Sequence, residues 1–318
     1  MNYLTKRLLT LIPTLLAISI VIFLILALAP GDPLSEFATN PNITAEVREN
    51  IRKSLGLDQP IYIRYFKWLT AFCQGNLGYS FASRSPVSDL IWQRLPTSLF
   101  IVGIAYFLSV IISLPLGIIS ALKRYSWIDN VVTAIAFFGY SIPPFFTGLL
   151  LIIIFTVQLQ WLPFIYDANL ELNSWQNIIL QIKQSLMPIT VLSLYQTAIL
   201  MRFMRSSVSE ELTQEYVKTA YSKGLGKFQV IGKHILRNAF IPVVTLIALD
   251  IPSLFTGALV TEQIFRIPGI GSLLIDSIYR SDTPVVMAIT MIYGILIVIF
   301  NLIADLTYSW LDPRVRLQ

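Results

Sequence analysis

Apolar residues in this chain gather into long uncharged runs separated by polar segments. A helix needs roughly 20 mainly apolar residues to cross a bilayer core. Six runs approach or exceed that length, at about 8–30, 97–122, 131–161, 186–201, 239–261 and 285–304. The first three are free of charge, and the fourth is short and lies between Lys183 and Arg202, whose long stems can reach the interfaces. The fifth holds Asp250 near its middle, and Asp305 closes the sixth. The pattern predicts an all-α, polytopic integral membrane protein of six transmembrane helices. It divides the chain into a first transmembrane helix (1–30), an external loop region (31–96) and a five-helix core (97–318) that carries one long polar loop (206–238). An even number of spans puts both termini on one side.

Lys6 and Arg7 before an apolar run ending in Ala27-Leu28-Ala29 resemble a secretory signal, but the run exceeds the usual signal core and Pro30 follows directly. A retained anchor is the expectation. Lysine and arginine near span ends favour the cytoplasm. Lys6 and Arg7, Lys123 and Arg124, the 206–238 loop with its flanking Arg202 and Arg205, and Arg314 and Arg316 all fall on the same side of a six-span arrangement. The basic residues of the other side, among them Arg48, Arg64 and Arg94, lie in a loop too long for the rule to count fully. Both termini are therefore expected in the cytoplasm. In the external loop, residues 44–55 read as a helix with Thr44 as its cap.

Composition agrees: 55% of the 318 residues are hydrophobic and 13% are charged, outside the usual range of soluble domains. The net charge of +5 fits basic cytoplasmic loops without invoking nucleic acid. The single cysteine, Cys73, and single histidine, His234, offer neither an internal disulfide nor a zinc ligand set. No catalytic pair and no Gly-rich loop ending in Gly-Lys-Ser/Thr occurs in the sequence, so any nucleotide must be handled by another subunit. Catalytic and metal sites are expected to be absent from this chain.

The polar loop at 206–238 is strongly patterned. Val208, Leu212, Tyr216 and Ala220 recur every four residues and predict one helical face, with Glu210, Glu211, Gln214 and Lys218 on the other side. Lys223-Gly224 follows as a natural stop, because glycine takes the left-handed conformation at little cost. A second helix is expected from Lys227, with Phe228, Ile231 and Ile235 as its apolar stripe and Lys233 and Arg237 as a basic one. Two readings stay open on pattern alone: a helix pair lying on the membrane surface, or a pair docking into a groove of a cytoplasmic partner.

The loop's residues carry a resemblance that separates the two. Glu215-Tyr216-Val217-Lys218-Thr219-Ala220-Tyr221-Ser222-Lys223-Gly224-Leu225, followed by His234-Ile235-Leu236-Arg237-Asn238-Ala239 and Pro242, resembles the coupling loop of ABC importer permeases, specifically the B-type permease of the dipeptide, oligopeptide and nickel family. The wider pattern is Glu-Ala-Ala, three residues, Gly, nine residues, Ile-x-Leu-Pro. Ala220, Gly224 and Leu236 match it, while Lys218, Thr219, His234 and Arg237 depart from it in the manner of the peptide subfamily. Ser222 replaces the alanine usual there. The resemblance extends over almost the whole chain. It includes Ala29-Pro30-Gly31-Asp32-Pro33, Gly56-Leu57-Asp58-Gln59-Pro60, Gly75-Asn76-Leu77-Gly78-Tyr79-Ser80, Arg94-Leu95-Pro96-Thr97-Ser98, Ser141-Ile142-Pro143-Pro144-Phe145, Pro268-Gly269-Ile270-Gly271, Pro284-Val285-Val286 and Leu311-Asp312-Pro313-Arg314.

The resemblance implies a type I ABC importer permease fold in the bacterial inner membrane. It also implies half of a translocation pathway for di- or oligopeptides or similar small solutes, nickel chelates and glutathione included. The implied partners are a homologous C-type permease, two cytoplasmic subunits that bind ATP and Mg, and an external solute-binding protein. Glu215, Tyr216, Ala220, Lys223, Gly224, Leu225, Arg237 and Asn238 become the candidates for ATPase coupling. Asp250 lies at a depth where a carboxylate is costly, and is a candidate for the pathway or the permease interface. Pro143 and Pro144 interrupt the third span, either lining a pathway or kinking the helix, and a kink is the expectation. Two rivals from other classes are an ion-driven secondary transporter, which should show repeats with paired intramembrane charges, and a scaffold recruiting a partner through the basic loop.

The charge distribution makes a direct prediction. In a background lacking Cys73, a cysteine at position 223 should be labelled only after the membrane is opened, and one at position 64 in sealed cells. External labelling at 223 would refute the six-span arrangement.

Overall fold

The computed structural model of the protein describes residues 3–28, 49, 53, 56, 58–168, 170, 171 and 173–311. The helix expected at 44–55, the 29–33 and 312–314 signatures and Leu57 fall partly or wholly outside these residues. The described chain is helical: α1 (Tyr3–Leu28), α2 (Ile61–Cys73), α3 (Val87–Leu122), α4 (Trp127–Ser141), α5 (Pro144–Leu151), a π-helical continuation (Ile152–Gln158), α6 (Trp175–Glu211), α7 (Glu215–Ser222), α8 (Lys227–Val230), a π-turn (Ile231–Ile235), α9 (Leu236–Ile264), α10 (Ile270–Tyr279) and α11 (Thr283–Leu311). Among the described residues five helices are long and apolar enough to cross a membrane, and the bent pair α4–α5 makes six. Ile12, Ile25, Phe107, Phe138 and Val157 are exposed on these helices, a surface that suits lipid and not water.

Hydropathy misplaced several ends. Helix α3 begins at Val87 and not near 97, because the amphipathic turn Val87–Arg94 extends the apolar run. The fourth span is a continuous helix of 37 residues, far longer than the expected 186–201. Lys183 is exposed, whereas Arg205 inside the same helix is neutralised by a carboxylate from α4, so charge does not end it. The third span is broken and not merely kinked: α4 and the α5 segment meet at 96°. Ile142 is extended and donates to Phe138 O, while Pro143 O accepts from the amides of Phe146 and Thr147. Proline cannot continue the ladder, and the residue before it is pushed out of the helical region, so consecutive prolines after Ile142 force the turn.

The chain forms two compact units. In the first (1–97 and 268–299), α1 packs on α2 through Phe23, edge-on to Tyr65 with centroids 5.4 Å apart, and through a 2.8 Å hydrogen bond between Ser19 Oγ and Tyr65 Oη. In the same unit the turn at 79–86 closes on Asp282. This carboxylate, 1% exposed, accepts from Ser80 Oγ at 2.5 Å and from the amides of Phe81 and Ala82.

The second unit (98–267 and 300–318) holds two apolar clusters. One gathers Ile101, Ala105, Met187, Val191, Phe265 and Ile267, and the other Met204, Val208, Val217, Ala220, Val230, Ile235, Ala239 and Val243. Helix α6 is their common wall. Glycines let its neighbours approach closely: a Cβ on Gly117 of α3 would lie 2.8 Å from Met201 O and Met204 Cβ, and one on Gly139 of α4 would lie 3.1 Å from Ala198 Cβ.

Candidate functional site

The expected helical face from Val208 to Ala220 is divided between two helices, since α6 ends at Glu211 and α7 begins at Glu215. The apolar stripe survives the division. Val208, Val217 and Ala220 are buried in one cluster with Leu212 and Tyr216 packed against it, because the turn at 212–214 swings α7 round while keeping that face inward. Gly224 ends α7 at φ +81°, the left-handed conformation the sequence predicts there. The amide of Leu225 bonds to Ala220 O at 3.3 Å and that of Gly224 to Tyr221 O at 2.9 Å, the paired bonds of a Schellman ending. Leu225 joins the same cluster as Ala220, supplying the hydrophobic contact that accompanies this ending.

Helix α8 begins at Lys227, as expected, but its apolar stripe is not the one read from sequence. Val230 and Ile235 are fully buried and Ile231 packs beside them, whereas Phe228 is 92% exposed. The π-turn at Ile231–Ile235 widens the helix by one residue per turn and shifts the register that a 3.6-residue period assumes. Of the candidate coupling residues, Glu215, Lys223, Gly224 and Arg237 are exposed, Tyr216, Leu225 and Asn238 are half-buried, and Ala220 faces the core. Tyr216 donates to the Glu211 carboxylate, and burial followed by that carboxylate pushes its pKa up to about 12, so the hydroxyl stays a donor. Lys218 Nζ meets Glu215 Oε1 at 2.7 Å on the open face of α7. His234 lies in the π-turn, its carbonyl 3.4 Å from Tyr216 Oη.

The helix pair thus has two unlike faces. One is apolar and inserted among the ends of α3, α6 and α9. The other presents Lys218, Tyr221, Lys223 and Phe228 to the outside, a mixed aromatic and basic surface on a short rigid element.

Deeper in the same unit, Asp250 on α9 accepts from Gln196 Nε2 on α6 at 2.8 Å, and Tyr106 Oη on α3 donates to Ile247 O at 2.7 Å. Gln196 is only 4% exposed, so Asp250 sits at a helix contact. Pro143 and Pro144 lie at the α4–α5 break, and α5, which Pro144 opens, packs on α9, the helix that carries Asp250. Two carboxylates of this unit escaped the sequence reading. Glu262, 1% exposed, accepts from Ser98 Oγ at 2.6 Å. Asp129, 2% exposed, takes Arg205 in a two-pronged bridge of 2.6 and 2.8 Å, and Ser120 Oγ at 2.5 Å. The signal for Asp129 was present: Ser126 three residues earlier caps α4 and marks the helix start.

Residues 113–317 match the family described as the binding-protein-dependent transport system inner membrane component, and residues 1–102 match its N-terminal family. The chain belongs to this family. The permease is 42% identical over 316 residues, 99% of both chains, to the oligopeptide transport system permease protein AppB of Bacillus subtilis. It is 38% identical over 316 residues, again 99% of both, to the glutathione transport system permease protein GsiC of Escherichia coli K12. Among solved structures it resembles an amino acid ABC transporter crystallised with histidines, at a TM-score of 0.52 and 14% identity, covering 70% of this chain and 94% of that one. That likeness shows the fold, and the family with its curated relatives makes the chain a multi-pass ABC importer permease.

The Asp250–Gln196 contact yields a stability prediction for the permease. Asp250→Asn keeps an oxygen acceptor for the buried Gln196 amide, whereas Asp250→Leu removes it and should cost about 1–3 kcal/mol. Thermal unfolding in detergent should place the Leu variant clearly below the Asn variant; equal midpoints would show that the contact carries no stability.

Proposed function

We propose that the permease forms half of the translocation pathway of an ATP-driven importer for di- or oligopeptides or similar small solutes, and that α7 and α8 are where cytoplasmic ATPases engage it. The observation that carries this is the two-faced helix pair. A surface helix bound to lipid would turn its apolar stripe outward. Here that stripe is consumed by the ends of α3, α6 and α9, so movement of the pair must displace those helices. The outward face offers Phe228 and Tyr221 as anchors beside Lys218 and Lys223, a composition suited to a groove in a protein partner.

In this reading both termini and the α7–α8 pair are cytoplasmic, following the basic residues around them. The complex holds a second, C-type permease, two ATPases that bind ATP and Mg, and an external solute-binding protein. Hydrolysis belongs to the assembly and not to this chain. Binding of ATP closes the ATPases, shifts the coupling helices and rocks the permeases so that the pathway opens on the other side. Asp250 contributes to the pathway wall or to the contact between permeases, and the α4–α5 break at Pro143 and Pro144 supplies irregular backbone at a depth where it must face protein or water. The peptide assignment is supported by the oligopeptide and glutathione transporters among the relatives, glutathione itself being a tripeptide. An ion-driven mechanism is less well supported, since the family is one of binding-protein-dependent transport.

Gly224 tests the coupling role. A side chain there meets nothing within 4 Å, so the cost of a substitution is backbone strain at positive φ, worst for a β-branched residue. Gly224→Ala and Gly224→Val should reach the membrane at normal levels but lose co-purifying ATPases and peptide uptake, with Val worse, and Phe228→Ala should lose both without strain. Full uptake by Gly224→Val would show that this segment is not the coupling element.

A further inference from the structure

Asp129 lies in the first turn of α4, at the end of the second unit that also holds α7 and α8. Its carboxylate gathers donors from three helices and a loop. Arg205 Nε and Nη2 of α6 reach one oxygen each at 2.6 and 2.8 Å, Ser120 Oγ of α3 lies at 2.5 Å, and the amide of Tyr125 at 2.9 Å. Thr133 Oγ1, one turn on in α4, adds a long contact at 3.4 Å. The loop between α3 and α4 is fixed by the same residue, for the carboxylate holds the amide of Tyr125, which sits at φ +65°, and Ser126 Oγ accepts from the Asp129 amide. A two-pronged arginine bridge sets orientation as well as distance. Further along, α4 stays seated on α6: Gly139 meets Ala198, and Tyr140 stacks on Tyr195 with centroids 6.0 Å apart.

Arg205 is six residues before Glu211, where α6 ends and the turn to α7 begins. That is about 9 Å along the helix axis. A displacement of α7 therefore reaches Arg205 through less than two turns of unbroken helix. From there it passes to α4, whose far end is the 96° break into α5.

We propose that the Asp129–Arg205 bridge is a positioning pair that makes α4 and the adjoining end of α6 a single lever, carrying motion of the coupling helices to the broken third span. This rests on the reading of α7 and α8 as the ATPase contact. An apolar pair of similar volume would hold a static bundle at least as well as a buried ion pair. What the bridge adds is fixed orientation, and that is the property a lever needs.

Spin labels on exposed positions test this in the complete transporter with Cys73 replaced. One label replaces Ile135 on α4 and the other Ser222 on α7, and their separation is measured without nucleotide and after trapping with ATP and vanadate. In the otherwise native chain the 135–222 distance should be the same in both states. In Asp129→Leu/Arg205→Leu, expected to accumulate because no lone charge is left buried, the distance should shift by about 3 Å or broaden on trapping. Arg205→Lys, which keeps the charge but not the two-pronged geometry, should fall between. A distance that changes with nucleotide in the native chain overturns the lever, and so does one that stays fixed in both variants. Failure of the ATPases to co-purify with the native chain would instead sink the coupling assignment, leaving the two failures distinguishable.

Discussion

A chain that crosses lipid has no water with which to satisfy its polar groups, and the rest of this structure follows from that constraint. Backbone amides are consumed by long helices. The carboxylates that remain inside are each met by hydroxyl or amide donors: Asp129 by Ser120, Glu262 by Ser98, Asp282 by Ser80, and the half-buried Asp250 by Gln196. A charge-assisted hydrogen bond from a small hydroxyl satisfies a buried oxygen at little side-chain entropy. Three of these contacts tie segments far apart in sequence, Ser80 with Asp282, Ser98 with Glu262 and Gln196 with Asp250, so these polar liabilities also fix tertiary contacts.

The same logic explains which parts of the fold were legible. The apolar runs at 8–30 and 239–261 gave α1 and α9 nearly to their ends, the single Asp250 in the second notwithstanding, because hydropathy senses lipid directly. It failed for α6, whose helix continues through Lys183, Arg202 and Arg205 as far as Glu211. Nothing in that segment announces that Arg205 has a carboxylate from α4, since the partner lies 76 residues away. The prolines at 143 and 144 announced an interruption, but its size depends on what the freed end packs against. Gly148, where a Cβ would lie 3.3 Å from the Phe265 ring, lets α5 settle on the end of α9.

The α7–α8 segment was legible in its punctuation and not in its register. Gly224 and Lys227 mark the end of α7 and the start of α8 as the sequence predicts, for these depend on local backbone preference. The turn at 212–214 and the π-turn at 231–235 depend on how the pair fits under α3, α6 and α9, and no period of 3.6 residues contains that information. The consequence is functional. Phe228, assigned by period to the buried stripe, is instead the most exposed large apolar side chain of the segment. In the proposed coupling role, a surface aromatic of that kind, beside lysines and on a helix rooted in the transmembrane core, would join recognition to mechanics in about fifteen residues.

The central claim is that ATP, acting through the helix pair, drives solute across this permease. It is tested most directly by reconstituting the chain with its second permease, ATPases and binding protein, and following uptake of a labelled peptide that the binding protein retains. Uptake should require ATP on the α7–α8 side and persist when a protonophore abolishes the ion gradient. Uptake that runs on a gradient without ATP, or stops with the protonophore while ATP is present, would contradict the account.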